Sequence, residues 1–173
     1  MHDHDTTSAD QRRLQAPAFP DDDGAAAAQV GDALAAYAAD RAAYPQALAA
    51  IAESRLLVPV VAVLGAVEYD AQGLAHDKTS DMATVLLTGA DGRQALLAFT
   101  SMETMAAWRA DARPVPVPAR DAARAALQEG AAAVVVDVAG PTTLAIEGED
   151  LRAMAHGWRL TWVGEKTAWV APV

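Results

Sequence analysis

The stretch FTSMETMAAWRADARPVPVP, Phe99–Pro118, moves from strand to helix and back to strand, and its reading decides the fold. Thr100-Ser-Met-Glu103 has the spacing of a capping box: a hydroxyl accepts the amide three residues on, and a glutamate reaches back to the cap's own N–H. A strand is therefore expected to end at Phe99 or Thr100, and a helix carrying Met105 and Trp108 to begin there. That helix must stop before Arg113, because Pro114 disfavours helical backbone in the residue preceding it. In Pro114-Val-Pro-Val-Pro118 the prolines recur at the strand period. Their missing N–H groups all face one neighbour, while Val115 and Val117 keep theirs for the other. The alternation predicts a strand paired on one edge and blocked on the other, a device against edge-to-edge association. It offers no PxxP register for recognition as a proline-rich ligand.

N-terminal to this stretch, MATVLLT and ALLAFT bracket Gly89-Ala-Asp-Gly92 and read as a hairpin with two glycines available for positive-φ turn positions. LLVPVVAV, Leu56–Val63, is a continuous β-branched run expected to form a buried strand, with a bulge or strand edge at Pro59. A polar loop, Gly65–Asp81, separates the two. Before Leu56, helical spacing places Leu34, Tyr37 and Ala38 on one face and Leu48, Ile51 and Ala52 on another. Tyr44-Pro45 between them implies either two short helices in a hairpin or one kinked helix.

C-terminal to it, a helix over Ala119–Glu129 should close at Gly130. AAAVVVDV then reads as a second buried strand, Gly140-Pro141 as a turn, and TTLAIE as the returning partner. Leu151–His156 form a last short helix ahead of Gly157, and WRLTWVGEKTAWVAPV alternates apolar and polar residues. The expected fold class is α+β: a single mixed sheet of about six strands with helices packed on it, preceded by an N-terminal helical hairpin. The domain division is an acidic, disordered tail over residues 1–30, an α+β domain over 31–160, and a C-terminal strand or tail over 161–173.

Composition narrows the function classes. The chain has 173 residues, a net charge of −10 and a pI near 4.6, which speaks against nucleic-acid binding, since phosphate recognition draws on clustered Lys and Arg. With no cysteine, disulfides, thiolate nucleophiles and Cys-ligated metals are excluded. The polar N-terminus lacks the apolar core of a signal peptide, and no run is long enough to span a bilayer, so a cytoplasmic protein without membrane association is expected. Arginine outnumbers lysine 11 to 2 and asparagine is absent, a GC-rich codon pattern that also accounts for much of the alanine.

Catalytic motifs are missing. Gly164-Glu-Lys166-Thr is not a phosphate-binding loop, no GxGxxG follows a strand, and none of Ser8, Ser54, Ser80 and Ser101 sits in a nucleophile elbow. His2 and His4 in MHDHD lack the further ligands a stable metal site needs. Asp137 is the one charge in an apolar strand. It is read first as a strand-end acceptor of backbone hydrogen bonds, and second as a functional carboxylate. Trp158, Trp162 and Trp169 cluster near the C-terminus, where they either pack on the core or form a binding surface.

LLVPVVAV, HDKTSDMATVLLTGADGRQALLAFTSMETMAAW, ARPVPVP and EGAAAVVVDVAGPTTLAIEG, in that order, resemble the SseB family, specifically its N-terminal domain as found in GC-rich actinobacterial proteins. The resemblance runs over about Leu34–Leu151 and implies the fold, without an accepted catalytic residue set, cofactor or substrate. The functional expectation is a non-catalytic protein-binding or adaptor module with no cofactor or metal. It would take a protein partner, with homo-oligomerisation as one form, through Lys78, Ser80, Asp81, Trp162 and Trp169. The alternative is a small-molecule sensor or small enzyme whose pocket at the strand ends joins the polar loop, Asp137 and Arg113.

Overall fold

A computed structural model describes residues 19–63, 68–69, 75–76 and 81–172. Helix α1 (Ala28–Ala39) is followed by a 3-10 turn (Arg41–Ala43) and α2 (Tyr44–Ala52), so Tyr44-Pro45 divides two helices rather than kinking one. Asp40 caps the 3-10 turn by accepting from the Ala42 N–H, and Pro45 lies in the first turn of α2, where a missing N–H costs nothing. The strands are β1 (Arg55–Val63), β2 (Glu68–Tyr69), β3 (Ala75–His76), β4 (Asp81–Thr84), β5 (Leu86–Thr88) and β6 (Gln94–Ala98). There follow α3 (Met102–Trp108), β7 (Arg113–Pro118), α4 (Ala119–Gln128), β8 (Ala133–Val136), β9 (Leu144–Glu147) and α5 (Gly148–Ala155). A hairpin of β10 (Arg159–Val163) and β11 (Lys166–Val170) completes the order.

The α+β class holds, but the single six-stranded sheet does not. The strands divide into a three-stranded sheet β4-β1-β7, a four-stranded sheet β5-β6-β8-β9, and the pairs β2-β3 and β10-β11. The physical reason lies at Pro59. Because prolines of β7 cannot donate, Leu56, Val58 and Val60 of β1 bond toward β7, and Leu57, Pro59 and Val61 face the opposite edge. On that edge Leu57 exchanges both backbone bonds with Phe99, at 2.8 and 2.9 Å, while Val60–Val63 pair with β4. Continuing the β1–β4 register would set Pro59 against Val85, and Pro59 has no N–H to give. The carbonyl of Val85 instead accepts from the Leu97 N–H at 3.3 Å, and the chain leaves β1 to pair with β6 through β5. The proline thus marks a corner at which one run of strand changes partners.

Among the described residues, strand β7 lies at the edge of its sheet, against β1 alone, as the proline alternation requires. In the four-stranded sheet, β6 and β8 are parallel and joined through α3, β7 and α4, while β5 and β9 run antiparallel on the outside.

Strand alternation sorts the core onto two faces. Leu56, Val58, Leu96, Ala98, Val134, Val136, Leu144 and Ile146 meet α1, α2, α4 and α5 in the larger core. Leu57, Leu97 and Phe99 face the other way and pack with Met105 and Trp108 of α3, the Phe99 and Trp108 rings lying 5.5 Å apart. The buried face of α4 is built from Ala119, Ala122, Ala123 and Ala126, all at most 1% exposed, so this helix sits close to its neighbours. Those alanines do structural work that codon bias alone does not explain.

Candidate functional site

Four segments meet at Thr100, directly after β6. Its backbone N–H and hydroxyl donate to the two carboxylate oxygens of Asp137, at 2.9 and 2.7 Å, just beyond the end of the parallel neighbour β8. Asp137 is 1% exposed and has φ +51°, a conformation that aspartate tolerates better than most residues. Its own N–H donates to Ala98, and its carbonyl accepts from the Gly140 N–H and the Thr143 hydroxyl. This is the placement the strand-end reading gives Asp137, with its carboxylate accepting a backbone hydrogen bond. The expected capping box shifts by one residue: with the Thr100 hydroxyl committed to Asp137, Ser101 caps α3 by accepting from the Thr104 N–H at 3.1 Å, and the Thr104 hydroxyl accepts from the Ser101 N–H. Glu103 takes no part in it.

On its other side the Thr100 carbonyl accepts from the Arg55 guanidinium at the start of β1. Arg55 also grips the Asp22 carboxylate at both oxygens, each at 2.7 Å, and donates to the Ala25 carbonyl at 2.8 Å. Both side chains are largely buried, and the guanidinium holds the Asp22 carboxyl below the usual carboxylate range. Asp22 in turn accepts from the Gly24 N–H, and the Gly24 carbonyl accepts from the Met102 N–H at 2.8 Å. The acidic tail expected over residues 1–30 thus has an ordered distal part, a strap over Phe19–Ala27 leading into α1. Residues 1–18, including His2 and His4, lie outside the described residues.

Two hollows flank Thr100. One of about 600 Å³ lies between the strap and the fold, bordered by Phe19, Asp22, Val30, Ser54 and Arg55. The other, of about 680 Å³, opens between α1, α3 and the turn after β8; Leu34, Ala38, Ser101, Thr104, Asp137 and Thr142 border it. Arg113 borders neither: it is exposed on β7 opposite Val60, so the pocket that was to join Arg113 with Asp137 is not assembled.

The C-terminal hairpin treats its tryptophans differently. Leu160 and Trp169 are directly opposed and pack on the larger core, and the Trp169 indole N–H donates to Asp150 at 2.8 Å. The Tyr44 hydroxyl donates to the other Asp150 oxygen at 3.0 Å; burial, reinforced by that carboxylate, pushes the hydroxyl's pKa up and keeps it a donor. Trp162 lies on the same hairpin face but nearer the turn, past the edge of the core, and is 48% exposed. Val163 at 64% and Val170 at 48% are exposed on the opposite face. Of the five residues singled out from sequence, Trp169 is an anchor and Trp162 a surface residue. Asp81 opens β4 opposite Val63, and Lys78 and Ser80 lie outside the described residues. Sequence reasoning missed Asp22 and Arg55; the only local signal was Asp22-x-Gly24, a turn-forming pair.

Among the described residues, no helix is long and apolar enough to cross a membrane. No curated protein and no solved structure matches the chain. The model of the SseB protein N-terminal domain matches residues 30–153, most of the chain, beginning inside α1 and ending inside α5. The chain belongs to the SseB family.

Proposed function

We propose that this SseB-family domain is a non-catalytic, cytoplasmic protein-binding module of the GC-rich actinobacterial type, with the C-terminal hairpin as its contact surface. The observation that carries the reading is a contrast. Buried and half-buried polar groups hold the fold together: Asp137 on Thr100, and Asp150 on Trp169 and Tyr44. Meanwhile Trp158, Trp162, Val163 and Val170 are exposed on or beside a two-stranded ribbon that pairs with no other strand among the described residues. Aromatic residues with open faces are the usual anchors of protein interfaces. The Lys78–Asp81 segment, which ends on the first residue of β4, is the second element we assign to contact.

The test is capture of partners by the tagged full chain from its own lysate at moderate salt. A Trp162→Ser/Val163→Ser variant and a Lys78→Ala/Asp81→Ala variant are run beside it, with folding checked by circular dichroism. The reading expects a stoichiometric protein retained by wild type and reduced at least about tenfold by the first variant. Equal retention by both variants would remove the surface assignment. A second reading, a small-molecule sensor, is favoured by the 680 Å³ hollow with its hydroxyl wall, a volume in the range of ligand sites. A ligand raising the melting temperature of wild type but not of Thr142→Leu would support it.

A further inference from the structure

We infer that the Arg55–Thr100–Met102 corner is a peptide-binding site filled by the chain's own strap, and that it accepts in exchange an acidic segment of another protein with the pattern Asp-x-Gly. This goes beyond the hairpin reading and does not rest on it.

The receptor half belongs to the fold and is positioned by bonds that do not involve the strap. Arg55 stands at the start of β1, and its guanidinium is oriented by the Thr100 carbonyl, which is itself placed by the bonds from Thr100 to Asp137. Two of its nitrogens are left aimed outward in the fork geometry that suits a carboxylate. The Met102 N–H is a second fixed donor at the same corner. These residues lie inside the stretch matched by the family, and the strap precedes it.

The strap meets this corner as a bound peptide would. Asp22 supplies a carboxylate at 2.7 Å to both Arg55 nitrogens. Its other polar contacts to the corner are main-chain, from the Ala25 carbonyl to Arg55 and from the Gly24 carbonyl to Met102, and any chain of suitable shape can reproduce them. Gly24 defines that shape. It has φ +80°, and a Cβ there would come within 2.5 Å of the Met102 Cγ, so only glycine fits. Recognition therefore reads one carboxylate, one spacer and one glycine.

The strap is also lightly held. From Phe19 to Ala27 it has one large apolar side chain, the half-buried Phe19, among a proline, three aspartates, a glycine and three alanines, and it borders a hollow of about 600 Å³. A segment with so little buried apolar surface opens at low cost relative to the core. Its hold comes from being tethered in cis, where the effective concentration is in the millimolar range.

The experiment uses the full chain and a fluorescein-labelled peptide of its own strap sequence, residues 19–29, read by anisotropy. Wild type should bind it weakly, because the cis strap competes. Asp22→Ala should loosen the cis strap and tighten peptide binding about tenfold or more, with an unchanged circular dichroism spectrum. The same peptide carrying Asp22→Asn or Gly24→Ala should lose about that factor on the Asp22→Ala protein. No gain in the variant, or equal binding of the substituted peptides, overturns the inference. Should Asp22→Ala fail to fold, amide exchange in wild type decides. The Met102 amide, bonded to Gly24, should exchange at least about tenfold faster than the Phe99 amide, bonded to Leu57. Equal protection would make the strap an inseparable part of the fold and overturn the inference. Variants at Trp162 leave each of these readouts unchanged, so failure here and failure of the hairpin reading are distinguishable.

Discussion

Thr100 gives both its backbone N–H and its hydroxyl to Asp137, joining the ends of two parallel strands through one carboxylate. The pair is buried, so removing either partner strands a polar group out of water. Thr100→Val should cost about 1–3 kcal/mol and Thr100→Ser much less; Asp137→Asn should fall between them, because its oxygen still accepts from the Thr100 N–H while its amide turns the hydroxyl from donor into acceptor and the charge-assisted bond is lost. Urea unfolding of the three variants measures this. A Thr100→Ser protein as destabilised as Thr100→Val would mean that the hydroxyl bond is not the source of the effect.

The Asp22–Arg55 pair makes strap closure dependent on pH. The folded carboxyl lies below its ordinary value, so its contribution is fully present above the unfolded value of about 3.9 and is lost as pH falls through the lower folded value. Asp21, Asp23 and Glu53 border the same hollow. Protection of the Met102 amide should therefore be constant from neutral pH down to the usual carboxylate range and fall below it. Asp22→Asn should abolish that step while leaving protection of Phe99 unchanged.

Trp169 and Trp162 should separate cleanly on substitution. Trp169→Phe keeps the packing but removes the indole donor from Asp150, at a cost of about 1–2 kcal/mol. Trp162→Ser, on an exposed position, should change stability by no more than about 0.5 kcal/mol. Denaturation midpoints of the two variants provide the comparison, and a large loss from Trp162→Ser would place that ring in the core instead.

Restoring N–H groups to the free edge of β7 should cause association. Pro114 and Pro116 stand opposite Pro59 and Leu57 in the positions that do not bond across to β1, so their ring nitrogens face outward. Pro114→Thr/Pro116→Thr would offer two unpaired donors on an exposed β-branched strand, and light scattering on heating should rise relative to wild type. A variant that stays monodisperse would show that the prolines serve strand shape rather than edge protection.

The elements readable from sequence were those governed by near neighbours. Pro45 marked the start of α2 and Gly130 the close of α4, strand alternation marked the buried runs, and the prolines of β7 marked an edge. Pro59 signalled an interruption, but not that the strand beside it would turn the corner at Val85 and split the sheet. The capping residue of α3 was misjudged by one position because Thr100 and Ser101 are equally able to cap. The choice fell to Asp137, a charged acceptor brought in from 37 residues away, which claimed the first hydroxyl and left the second.

The candidate sites divide in the same way. The sequence by itself determined an acidic, cysteine-free α+β chain with a proline-blocked edge and an alternating C-terminal segment, because these follow from composition and short periods. Only the tertiary structure decided that Asp22 is a ligand for Arg55 across 33 residues, that Trp169 anchors while Trp162 is free, and that Arg113 and Asp137 never meet. Such pairings are set by where the packed core carries each segment, and no local pattern of residue types encodes that position.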